Sequence, residues 1–140
     1  MSDPDPAPMA SRDPTIEDVL GPLGSAVMRV VWAHGQASVG TVLDALNAER
    51  RRPLAYTTVM TIMTRLFERG FLEREKRARG YVYRPAGDES ALIETLSRRA
   101  VDELLARYGT TALRQFADRL ADADPDLRAR IVELASHRSR

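Results

Sequence analysis

Apolar positions recur with a helical period over most of this chain. In "GPLGSAVMRVVWAHG", Leu23, Val27, Val30 and Val31 fall on one face, and Met28 and Trp32 widen it. Gly21 can cap that helix, Pro22 suits its first position, and Gly35 can end it. Ser38 is placed to cap a second helix from Val39 to Glu49, where Val39, Val42, Leu43 and Leu46 stand at i, i+3, i+4 and i+7. Pro53 closes it, because the residue before a proline avoids the helical region. "YTTVMTIMTRLFERG", 56–70, predicts a third helix that stops at Gly70.

The period then shortens. Phe71, Leu72, Tyr81, Val82 and Tyr83 are strand formers on either side of "RARG", and Pro85 ends the second arm, so a two-stranded hairpin is predicted. From Asp88 the helical period returns. Ile93, Leu96, Ala100, Val101, Leu104, Leu105 and Tyr108 share a face, and Gly109 breaks that helix. Leu113, Phe116, Ala117 and Leu120 mark a second, short helix. Leu127, Ile131 and Leu134 mark a third, with Asp124 as its cap and Pro125 at its first position. Residues 1–14 hold four prolines and no apolar period, as in a disordered arm.

Three helices, a hairpin and three more helices predict a mostly α fold with a small β-hairpin. The expected layout is a winged helix-turn-helix domain over 15–87 and an all-α dimerisation domain over 88–140. About 45 residues of short helix bury little alone, so two copies are expected to share one core. Its candidate residues are Ile93, Leu96, Ala100, Leu104, Tyr108, Leu113, Phe116, Leu120, Leu127, Ile131 and Leu134.

The third helix is unusual in carrying four threonines, each roughly half a kcal/mol worse than alanine in a helix. On a wheel at about 100° per residue, Val59, Ile62, Met63 and Leu66 fall together with Phe67 at their margin. Thr57, Thr61, Thr64 and Glu68 fall opposite, flanked by Thr58, Arg65 and Met60. Short hydroxyl side chains let a helix seat deeply in a major groove, where the hydroxyl can bond bases or phosphates and the methyl can touch thymine. Thr57 is also a candidate N-cap, and Thr64 fits a solvated position equally well.

Charge sharpens this picture. Between Arg50 and Arg84 there are ten basic and three acidic residues, a balance of +7, which leaves eleven basic and seventeen acidic elsewhere, a balance of −6. Such asymmetry is the footprint of a polyanion site. Lys76, Arg77 and Arg79 gather at the hairpin turn, as a wing lying along a DNA backbone or minor groove requires. The candidate DNA-binding residues are Ser38, Tyr56, Thr57, Thr58, Met60, Thr61, Thr64, Arg65, Lys76, Arg77, Arg79 and Tyr83. The alternative is a winged helix whose threonine face meets a protein and reads no DNA.

Little suggests other chemistry. The chain has no cysteine, which removes disulfides, thiolate metal sites and a cysteine nucleophile. His34 and His137 have no metal-ligand spacing, and no nucleophile elbow or phosphate loop occurs. No enzyme activity, metal or cofactor is expected. No apolar run approaches the roughly 18 residues of a membrane span, and no secretory leader opens the chain, so a cytoplasmic protein without membrane insertion is expected.

Two stretches, "LGPLGSAVMRVVW" and "TTVMTIMTRLFERGFLEREKRARGYVYRP", resemble the penicillinase-repressor family, the BlaI/MecI/CopY group. The resemblance runs from about Leu20 to Pro85 and is most specific from Thr57 to Leu66. It implies a homodimeric repressor of inverted-repeat operators, with three C-terminal helices interlocking in the dimer. Gly24 stands where the family usually has Glu, and Leu54 near its usual Trp. The lack of cysteine excludes the metal-binding tail of copper-responsive members. Members that respond to β-lactams are cut by a membrane-anchored metalloprotease at Asn-Phe, and the aligned pair here is Gln115–Phe116, the candidate cleavage site.

Overall fold

Thr15 opens the first helix by bonding reciprocally with Asp18. Its side chain accepts from the Asp18 amide, and the Asp18 carboxylate accepts from the Thr15 amide at 2.8 Å. The computed structural model describes residues 13–122 and 125–137. Helix α1 (Ile16–His34) is therefore longer than its apolar stripe suggests. The expected start at Gly21 and Pro22 marks an internal break, where Gly21 takes φ 77°, and a second helical stretch begins. The added turn carries Ile16, which is fully buried.

The remaining elements are β1 (Ala37–Ser38), α2 (Val39–Asn47), α3 (Tyr56–Glu68), β2 (Leu72–Arg77), β3 (Gly80–Pro85), α4 (Glu89–Tyr108), α5 (Thr110–Ala121) and α6 (Pro125–His137). Strand β1 was not expected, and it turns the hairpin into a three-stranded antiparallel sheet of order β1-β3-β2. Ala37 pairs with Tyr83 and Ser38 with Val82. On the other side of β3, the pairs run from Leu72 opposite Pro85 to Arg77 opposite Gly80. Two residues, Ala78 and Arg79, make the reversal, and Gly80 takes the φ of 111° that so tight a turn needs.

Two compact units emerge. The first runs from Thr15 to Thr95, and the second begins at Leu96. The position 87/88 falls in the loop before α4, a helix that spans both units. Val27, Met28 and Val31 of α1, Val42 of α2, and Val59, Met63 and Leu66 of α3 fill the first core together with Phe71, Leu72 and Tyr83. The α4 end of this unit is secured by polar contacts. Asp88 caps α4 by accepting from the Ala91 amide at 2.8 Å, Glu89 accepts from the Ile16 amide at 2.7 Å, and the Trp32 indole donates to the Gly87 carbonyl at 2.9 Å. Leu92 is buried here too. These helices and sheet form a winged helix-turn-helix, followed in the chain by a helical segment.

Among the described residues after Thr95, no side chain is buried. Leu104, Tyr108, Leu113, Phe116 and Leu134 are each more than half exposed, Ala100 is exposed, and Leu96, Leu120 and Ile131 are half-buried. Ile93 is half-buried in the first unit. The Leu127 side chain, Asp124 and residues 1–12 of the expected arm lie outside the described residues. No helix among the described residues is long and apolar enough to cross a membrane.

Candidate nucleic-acid interface

Helix α3 turns its apolar stripe inward as its spacing dictates. Val59, Met63 and Leu66 are buried, while Ile62 and Phe67 are half-buried. Outward stand Tyr56, Thr57, Thr58, Met60, Thr61 and Arg65, all exposed, with Thr64 half-buried. Thr57 is not the cap. Ala55 holds that position and offers no side-chain acceptor, so Thr57 lies inside the first turn. The Thr58 and Val59 amides both turn back to the Ala55 carbonyl. A helix start without a side-chain cap leaves amides for solvent or an incoming anion.

The wing has two unlike faces because strand residues alternate. Arg74, Lys76, Tyr81 and Tyr83 share one face, and Glu73, Glu75, Arg77, Val82 and Arg84 share the other. On the second face the charges cancel in pairs. Arg84 binds Glu73 at 2.8 Å and Arg77 binds Glu75 at 3.3 Å. The hydrogen bond to Glu73, and then the charges of Glu73 and Glu75, hold the Arg84 guanidinium above its ordinary pKa. The exposed Arg77–Glu75 pair is worth little in water, so a phosphate can displace Glu75. Lys76 and Arg79 are exposed and form no ion pair among the described residues.

Two expected contacts sit differently. Tyr83 is only 2% exposed and is a core residue, because β1 pairs alongside it at Ala37 and closes over that end of β3. Its ring lies 6.2 Å from that of Tyr81, which remains at the surface. Ser38 is half-buried and caps α2, accepting from the Thr41 amide at 3.1 Å and sharing a 3.0 Å hydroxyl contact with Thr41.

The structure adds residues that sequence pattern left out. Arg50, Arg51 and Arg52 form an exposed loop directly before α3. Asn47 fastens the two ends of that loop. Its Oδ1 accepts from the Leu54 amide at 2.7 Å, and its Nδ2 donates to the Leu54 carbonyl at 3.1 Å. The charge run itself was the visible signal; the Asn47 clasp had none. The second addition is Arg74, whose guanidinium lies over the rings of both Phe67 and Tyr81. Threonines on α3, a basic loop before it and an uncompensated wing tip together suit a phosphate-lined groove. Among the described residues, no cluster of three or more His, Asp or Glu could hold a metal.

Known proteins resemble this chain in sequence. The penicillinase repressor family model matches residues 20–137. The transcriptional regulator BlaI of Mycobacterium tuberculosis is 35% identical over 128 residues, covering 86% of this chain and 89% of that protein. The penicillinase repressor of Bacillus licheniformis is 34% identical over 71 residues, 51% of this chain and 54% of the relative. A solution structure of the Bacillus licheniformis BlaI monomeric form in complex with the blaP half-operator matches 48% of this chain and 79% of that one, with 31% identity and a TM-score of 0.41.

Proposed function

Since the chain belongs to the penicillinase repressor family, we propose that it represses transcription as a homodimer bound to an inverted-repeat DNA operator. The carrying observation is the outward face of α3, where exposed Thr58, Met60, Thr61 and Arg65 stand beside a wing whose tip charges, Lys76 and Arg79, have no acidic partner among the described residues. Thr58 and Thr61 read base edges, with Met60 and Arg65 beside them. Lys76 and Arg79, with Arg77 after release of Glu75, grip backbone or minor groove. Arg50–Arg52 add phosphate contacts ahead of the helix. Phosphate contacts hold the register and base contacts give the sequence preference.

The dimer reading is supported by the uncovered apolar side chains of the second unit. Leu104, Tyr108, Leu113, Phe116 and Leu134 are each more than half exposed in a single chain. An open groove of about 320 Å³ along α4, lined by Ala100, Glu103, Leu104, Arg107 and Tyr108, has room for a partner side chain. A second copy brings a matching face by symmetry. Tethering then makes the second half-site contact nearly intramolecular, raising avidity by roughly 10²–10⁴.

Induction follows from the same architecture. Gln115 and Phe116 are exposed on α5. Cleavage between them detaches half of α5 and all of α6, breaks the shared core and releases the operator. A membrane-anchored metalloprotease sensor is the partner this scheme calls for, and the repressor itself works in the cytoplasm.

The test is a salt titration of binding to random duplex DNA, read by fluorescence anisotropy. A DNA-binding wing gives a log–log slope of several units, about 0.9 for each phosphate neutralised. Failure to bind at low salt would favour the alternative, in which the threonine face meets a protein.

A further inference from the structure

We propose that Arg74 positions the wing against the recognition helix and so sets sequence specificity without touching DNA. The DNA part of this inference rests on the reading above; the positioning part does not. The Arg74 guanidinium carbon lies 3.9 Å from the Phe67 ring centroid and 4.1 Å from that of Tyr81. Phe67 belongs to the last turn of α3, Arg74 to β2 and Tyr81 to β3. One planar cation thus lies over rings of two other elements and joins all three. An arginine guanidinium is a charged plane that stacks on aromatic faces, whereas lysine is a compact, strongly hydrated point charge.

Arg74 also differs from its neighbours. Arg77 and Arg84 pair with Glu75 and Glu73 on the opposite face, whereas Arg74 forms no ion pair among the described residues and is half-buried. Its place along the strand matters equally. Arg74 pairs with Tyr83, and β1 supports β3 only at Tyr83 and Val82. Beyond that point the wing is a bare two-stranded ribbon, which is marginal in water unless something packs on it. Arg74 stands one residue short of where the third strand's support ends, at Val82 opposite Glu75. The turn lies about four residue steps further on, roughly 13 Å at strand rise. A tilt of about 10° at this pivot would move Arg79 by about 2 Å, enough to lose a phosphate at hydrogen-bond range.

The test uses the full chain with Arg74→Met, which keeps an apolar filler of similar length, Arg74→Lys, which keeps the charge, and Tyr81→Leu, which removes one stacking face. Backbone ¹⁵N relaxation of the free protein reads the positioning directly. Order parameters of residues 76–80 should be near 0.85 in the wild type and fall below about 0.6 in all three variants. Binding is then measured on two duplexes, a random sequence and the sequence that the wild type selects from a random library. We expect a roughly tenfold loss of preference for the selected sequence, with an unchanged salt slope on random DNA. A wild-type tip already below about 0.6 overturns the proposal, as does Arg74→Lys matching the wild type in both order and preference. So does a slope that drops by about one unit in Arg74→Met with both duplexes weakened alike, which would make Arg74 a phosphate ligand. If the wild type selects no sequence, the DNA-reading function fails, and relaxation alone decides whether Arg74 holds the wing.

Discussion

Phe116→Ala should disassemble the proposed dimer while leaving the winged domain intact. In one chain Phe116 is 60% exposed on α5. A phenylalanine offers roughly 200 Å² of burial, so about 120 Å² of this ring awaits a partner. At about 25 cal/mol per Å², covering it would stabilise the dimer by about 3 kcal/mol per copy, and symmetry counts it twice. That sum of about 6 kcal/mol is a ceiling, because alanine keeps part of the contact and the interface relaxes. A loss of about 2–4 kcal/mol per dimer is expected, the range of a strong interface residue. The dimer dissociation constant should then rise about 30- to 700-fold. Sedimentation equilibrium over a concentration series measures this. Near-ultraviolet circular dichroism of Trp32, which is hydrogen-bonded to Gly87 within the first unit, should stay unchanged. A dissociation constant that moves less than tenfold would remove Phe116 from the shared core and refute the reasoning.

Other substitutions separate the remaining roles. Thr61→Ala should stay folded and lose about 1–3 kcal/mol for the selected sequence with far less effect on random DNA, as competition binding would reveal. Arg79→Ala should weaken both kinds of DNA and lower the salt slope by about one unit; an unchanged slope and affinity would exclude the wing tip. Asn47→Ala removes both bonds to Leu54, so thermal unfolding should show about 1–3 kcal/mol of destabilisation, and an unaltered midpoint would mean the clasp contributes nothing. A chain ending at Gln115 should be monomeric in the ultracentrifuge and bind the selected sequence roughly 10²–10⁴ more weakly; a tight, dimeric fragment would contradict the proposed cleavage switch.

Local periodicity made much of the architecture legible. Val59, Met63 and Leu66 recur at helical spacing and are the buried stripe of α3, and Ser38 caps α2 as its position suggested. Features defined by distant partners left no such trace. Strand β1 is two residues long and exists because β3 pairs with it. That pairing buries Tyr83 and leaves Tyr81 at the surface, although strand alternation puts both tyrosines on one face. The Thr15–Asp18 box was present in the sequence but lay ahead of the apolar stripe, so Gly21 took its place as the expected start. Thr57 looked like a cap because threonine favours caps, yet the chain enters α3 one turn's opening earlier, at Ala55. The Phe67–Arg74–Tyr81 stack depends on strand register, which composition cannot supply.

Selection of duplex DNA from a random library by the full-length chain, followed by sequencing, tests the central claim most directly. A homodimer reading bases through α3 predicts enrichment of an inverted repeat with half-sites about one helical turn apart, roughly 10 base pairs centre to centre. It further predicts that Thr61→Ala relaxes the preference at one position in each half-site. A pool that binds but stays unenriched, or that enriches a single half-site without symmetry, would contradict it.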